Sequence, residues 1–67
     1  MNSKLFRSIM LLHDDTDKSL AEYLNISERS VNSKINERNA EFKQSEISAI
    51  IQKYSLTDEQ VRSIFFN

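Results

Sequence analysis

Cysteine, glycine and proline do not occur in this chain. Without cysteine there is no disulfide and no thiolate metal site to staple a small fold. Without glycine and proline the tight hairpins of strand-and-turn architectures lose their usual residues, which argues against an all-β fold. Long apolar runs are missing too. The longest, Ile9-Met10-Leu11-Leu12, falls far short of the roughly 20 residues that cross a bilayer. No charged start leads into a long apolar stretch, so no signal peptide is read. These absences predict a soluble, cytoplasmic, all-helical protein.

What is present fits one domain. At 67 residues, a core buries only about 60% of the surface of the unfolded chain, so idealised helix packing or a partner subunit must supply stability. The net charge is −1, which runs against the basic balance of most nucleic-acid binders. Placement matters more than the total. Between Arg29 and Lys43 lie Arg29, Lys34, Arg38 and Lys43 against only Glu37 and Glu41. Asp14, Asp15 and Asp17 cluster earlier, and Asp58 and Glu59 later. A basic face beside acidic edges predicts modest, strongly salt-sensitive phosphate binding.

Five helices are predicted. The first spans Ser3–Leu12, with Leu5, Ile9 and Leu12 at i, i+4, i+7, widened by Phe6 and Met10, and capped by Asn2 or Ser3. His13-Asp14-Asp15 then forms a solvated loop. The second begins with Thr16 as N-cap and Asp17 in the first turn, where an acid suits the helix dipole, and runs to Leu24. Asn25 is the turn residue, the best substitute for glycine in a left-handed conformation. Ser27 caps a third helix reaching Ile35 or Asn36, and residues 36–40 form a loop. The fourth spans Gln44–Tyr54, with Ile47, Ile50, Ile51 and Tyr54 at core spacing and Phe42 placed as a staple. Thr57-Asp58-Glu59-Gln60 is a capping box that starts a fifth helix with Val61, Ile64 and Phe65 inward. Phe66 either covers the base of the core or stays exposed for a partner.

Residues 16–36 are the most informative stretch. Leu20, Ala21 and Leu24 share one helical face, Asn25 turns the chain, Ile26 fills the gap, and Val31 and Ile35 lie four apart. Two short helices joined in this way form the unit that carries a recognition helix into the major groove of DNA. Ala21 belongs at the helix crossing, where a larger side chain would hold the pair apart.

On Leu20-Ala21, Leu24-Asn25-Ile26-Ser27, Ser30-Val31 and Ile35-Asn36, the chain resembles the lambda-repressor-like helix-turn-helix family, the Cro and repressor proteins of phages. Helix count, order and spacing fit from Leu5 to Ile64, and the ending Leu56–Val61 followed by Ile64-Phe65-Phe66 looks like that of small phage-encoded regulators. The chain departs from the family at three places. Asn25 stands where glycine is usual. Asp17 stands where the family often has a phosphate-touching glutamine. Glu37 follows Asn36 where glycine is usual.

The resemblance implies an all-α, five-helix, lambda-repressor-like DNA-binding domain over residues 1–67, with the helix-turn-helix at helices two and three. It implies a transcriptional regulator bound to operator DNA as a homodimer, with half-site centres about 34–36 Å apart. Base contacts are expected from Glu28, Arg29, Asn32 and Ser33 on the outward face of the third helix. Phosphate contacts are expected from Lys18, Ser27, Ser30, Lys34, Arg38 and Lys43. Arg29 and Lys34 read equally as solvated charges, and Ser27 as a structural cap. No cofactor, metal, membrane or small-molecule ligand is implied, since His13 has no second histidine or cysteine to complete a site. No nucleophile–base pair or glycine-rich phosphate loop points to an enzyme. The competing reading is a protein-binding module on the same fold, antirepressor-like and without strong DNA affinity, favoured by Asp17, Glu28 and the net negative charge.

Overall fold

A computed structural model of the chain describes residues 1–66. Five helices follow one another: α1 (Ser3–Leu12), α2 (Asp17–Leu24), α3 (Glu28–Ile35), α4 (Gln44–Tyr54) and α5 (Asp58–Phe65). The Cα radius of gyration is 10.7 Å, close to the about 10.9 Å expected of a folded domain this long. The arrangement is therefore a compact all-α bundle. Among the described residues no helix is long and apolar enough to cross a membrane.

Polar side chains start every helix. Asn2 accepts from the Leu5 amide at 3.1 Å to begin α1. Thr16 and Ser19 bond each other's backbone amides at the head of α2, and Thr57 and Gln60 do the same at α5. Glu46 reaches back to the Lys43 amide at 2.8 Å to begin α4. Each bond satisfies a helix-end donor that would otherwise lack a partner.

Helix ends rely on left-handed residues other than glycine. Asp14, Asn25, Glu37, Asn39 and Ser55 all have φ between 51° and 59°. At Asn25 the turn is closed by the Ile26 amide donating to the Ala21 carbonyl at 3.0 Å. At Ser55 the Leu56 amide donates to the Ile51 carbonyl at 3.0 Å.

The core is built around Phe6, which is fully buried. Its ring meets Phe42 at 5.8 Å, Tyr54 at 6.4 Å and Phe65 at 6.2 Å between centroids. Leu20, Val31, Ile35, Ile50 and Ile64 are fully buried in the same cluster, with Ala21 nearly so. Ile26, Leu24, Ile47 and Phe65 pack at its edge, and Val61 is half-buried. The Asn2 amide donates to the Ile64 carbonyl at 2.7 Å, tying the start of the described chain to α5.

Two expectations are corrected. The buried stripe of α1 is Phe6, Ile9 and Met10, whereas Leu12 is 81% exposed. At about 100° per residue, a face centred on Phe6, Ile9 and Met10 puts Leu12 about 120° away from it. Leu5 is only partly buried. The acids after α1 also differ from a simple solvated loop. Asp14 is exposed, but the Asp15 carboxylate is a hub. It accepts from the Tyr54 hydroxyl at 2.6 Å and the Ser19 hydroxyl at 2.7 Å, with the Lys53 ammonium at 3.4 Å. His13 packs its ring on Tyr54, 4.9 Å between centroids.

This hub makes stability depend on pH at both ends. Burial pushes the Asp15 carboxyl up, but the Tyr54 and Ser19 hydrogen bonds and the Lys53 charge outweigh it and hold the group below its ordinary value. Burial, and then the bond to Asp15, push the Tyr54 hydroxyl well above its ordinary range.

Ile50→Ala should cost about 2–5 kcal/mol in urea denaturation, whereas Leu12→Ala should stay within about 0.5 kcal/mol of the parent. Equal losses would contradict the exposure of Leu12. Stability from Asp15 is present above its unfolded value of about 3.9 and lost as pH falls through the lower folded value. Stability from Tyr54 is present below about pH 10 and lost as pH rises further. In denaturation midpoints measured against pH, Tyr54→Phe should flatten the alkaline limb and weaken the acid limb. A profile parallel to that of the parent would refute the coupling.

Candidate nucleic-acid interface

The α2–α3 pair decides which side chains face outward. Leu20 and Ala21 of α2 and Val31 and Ile35 of α3 turn into the core. Ser27 begins α3 by accepting from the Ser30 amide at 3.0 Å. With Val31 and Ile35 inward, exposed Arg29 and half-buried Ser33 lie on the opposite face, half-buried Asn32 lies at its flank, and Glu28 is exposed in the first turn. These four line one shallow, open depression with Asp17 and Arg38. All four residues expected to contact bases thus converge, joined by Arg38, one of those expected to contact phosphates. The Arg38 amide donates to the Ser33 carbonyl at 2.9 Å, which holds the segment after α3 against this face.

The other residues expected to contact phosphates are dispersed. Lys18 is exposed in the first turn of α2, and Lys43 is exposed just before α4. The Ser27 hydroxyl donates to the Ser30 hydroxyl at 2.9 Å, so these two are engaged with each other as a cap. Lys34 is set apart. Its ammonium donates to both Glu46 carboxylate oxygens, at 2.8 and 2.9 Å, and its side chain is only 13% exposed. It also stands over the Phe42 ring, 6.0 Å from the centroid. Burial raises the Glu46 carboxyl, but the bonds from Lys34 and from the Lys43 amide outweigh it and keep the group below its ordinary value. Lys34 thus links α3 to α4 and is committed inside the bundle.

Two contacts to Asp17 at the site were not expected from the sequence, and one of them brings in a new residue. Arg7 of α1 donates to one Asp17 carboxylate oxygen at 3.1 Å. Asn32 donates its side-chain N–H to the other at 3.1 Å. Asp17 therefore joins α1, α2 and α3, and its charge is partly compensated where the depression begins. The one hint in the sequence was an acid at the head of the second helix. The partners, ten and fifteen residues away, come together only through packing. Beyond this depression, Phe66 is 68% exposed at the mouth of a cleft with Met1, Phe42, Ile47 and Phe65, so it does not seal the core.

Comparison of the chain with protein-family models, with curated proteins and with solved structures finds no match.

The commitment of Lys34 is testable. Lys34→Met leaves the buried Glu46 carboxylate without its ammonium and should cost about 1–3 kcal/mol of stability. It should leave any binding by the α3 face unchanged at temperatures where the variant is folded. Unchanged stability in denaturant titration would refute the role.

Proposed function

We propose that this chain is a sequence-reading DNA-binding regulator of the lambda-repressor-like kind, with α2 and α3 as its helix-turn-helix and α3 as the recognition helix. One observation carries the proposal: Glu28, Arg29, Asn32 and Ser33 line one open polar depression, while Val31 and Ile35 of the same helix are fully buried. A helix anchored on one face and polar on the other is what a major-groove reader requires.

The turns lend support. Asn25 and Glu37 stand where the resembled family usually has glycine, and both have left-handed backbones, with φ of 59° and 54°. The acid at position 17 is also accommodated. Its carboxylate is occupied by Arg7 and Asn32, which lessens its repulsion of a phosphate.

Arg29 carries a planar fork that fits the two acceptors of guanine. Exposed Lys18, Arg38 and Lys43 are the phosphate contacts of this proposal. Lys34 is left out because it is held by Glu46. Two copies, each with α3 in one half-site, would occupy an operator with dyad symmetry, and the exposed Phe66 is a candidate contact between them.

A second reading has its own observation. Asp17 and Glu28 line the same depression as Arg29 and Arg38, a charge balance that suits a protein partner as well as a polyanion. The two readings separate in a fluorescence-anisotropy titration with random duplex DNA at two salt concentrations. A DNA reader binds at low salt, with a log–log salt slope of about −3 per protomer for three phosphate contacts. Against its selected site, Arg29→Ala should lose about 1–3 kcal/mol and relax one base position with little change in slope. No binding at low salt would favour the protein-docking module. Unchanged affinity and preference in Arg29→Ala would remove Arg29 from the interface.

A further inference from the structure

We infer that Asp17 is a positioning residue for Asn32. It fixes the direction of the Asn32 side-chain amide, so that α3 offers the carbonyl oxygen Oδ1 and selects a base that presents an amine in the major groove, adenine or cytosine. This inference rests on the DNA-binding proposal above and names what one position of that interface reads.

The geometry is simple. Asn32 Nδ2 donates to Asp17 Oδ2 at 3.1 Å. The other Asp17 oxygen accepts from Arg7 at 3.1 Å, which holds the carboxylate in place. An ionised carboxylate can only accept hydrogen bonds. The amide nitrogen of Asn32, and not its oxygen, must therefore face Asp17. An amide at position 17 would not force this direction, because its NH2 could donate to the Asn32 oxygen while its own oxygen accepts from Arg7.

The Asn32 oxygen is left for other partners. Oδ1 accepts from Nδ2 of the exposed Asn36 at 3.3 Å. A carbonyl oxygen has two lone pairs, so one acceptor site remains open. Asn32 lies on the shared depression with Arg29 and Ser33. In the major groove adenine N6 and cytosine N4 donate, whereas guanine O6 and N7 and thymine O4 accept. An oriented Oδ1 meets a donor in the first two cases and opposing lone pairs in the others. The second N–H of Asn32 remains available to complete a two-point contact with adenine.

The test is selection of bound duplexes from a random pool with the full chain and with Asp17→Asn, Asn32→Ala and Arg29→Ala. Helix content and melting are checked by circular dichroism. The parent should enrich one base pair at one position per half-site, and Asn32→Ala should erase that preference alone; at that pair, replacing adenine by purine or cytosine by 2-pyrimidinone, which removes the major-groove amine, should weaken binding of the parent by roughly tenfold. Asp17→Asn should still bind but lose discrimination there by roughly tenfold, while Arg29→Ala should keep it. In the free protein, Asp17→Asn should shift the Asn32 side-chain NH2 resonances. Undiminished binding of the parent to the duplex lacking that amine would overturn the inference, and this holds even where Asp17→Asn fails to fold. Undiminished discrimination in a folded Asp17→Asn variant would overturn the role of Asp17 and leave the DNA-binding proposal standing. A parent chain that binds no duplex at low salt would overturn both.

Discussion

The burial of the Phe6 ring holds this molecule together. It sits on the first helix yet touches aromatic rings from the segment before α4, from α4 itself and from α5. In a chain this short no disulfide shares the load, so one well-packed cluster must offset the entropy of ordering the backbone. Leu20, Val31 and Ile35 belong to the same cluster and are fully buried. The angle at which α3 projects is thus a property of the core. Whatever loosens Phe6 should also blur the surface that Arg29 and Asn32 share.

The lack of glycine imposes a second constraint. Five non-glycine residues adopt left-handed backbones, a conformation that costs an ordinary L-residue about 1–2 kcal/mol. Asp14, Asn25 and Asn39 carry the short polar side chains that bear it best. Glu37 and Ser55 have no such general advantage. There is a compensating gain, since a chain without glycine has fewer unfolded conformations to lose on folding. Because these residues otherwise favour right-handed backbones, each such turn has to be held from outside, as the Ile26 amide holds the α2–α3 turn by donating to the Ala21 carbonyl.

Helix boundaries and caps were legible in the residues themselves. Ser3–Leu12 and Gln44–Tyr54 were readable from apolar spacing, and Thr16, Ser27 and Thr57 from cap chemistry, because both signals are local. The rotation of α1 was not. Leu12 and Phe6 both satisfy helical spacing, and only the position of the other helices decides which faces inward. The charged contacts were hidden for a similar reason. Asp15 meets Tyr54 across 39 residues of sequence and Lys34 meets Glu46 across 12, so no periodicity could pair them. Of the site, the outward face of α3 followed from Val31 and Ile35 pointing inward. The Arg7–Asp17–Asn32 chain of contacts depended on three helices meeting.

On the proposed function, those hidden contacts divide the charges into two kinds. Lys34 and Lys53 are drawn toward Glu46 and Asp15 and serve the bundle. Lys18, Arg29, Arg38 and Lys43 remain on the surface, and Asp17 and Glu28 share the depression of Arg29 and Arg38. Few free cations mean little counterion release, hence a weak hold on arbitrary DNA. The two acids add to this by desolvating at a cost wherever no donor meets them. A surface of this kind gives up general affinity and gains contrast between right and wrong sequences, since each fixed polar group penalises a mismatched base. Orientation then matters more than charge number, and the carboxylate at position 17, unfavourable as a phosphate contact, becomes useful as the group that aims its neighbour.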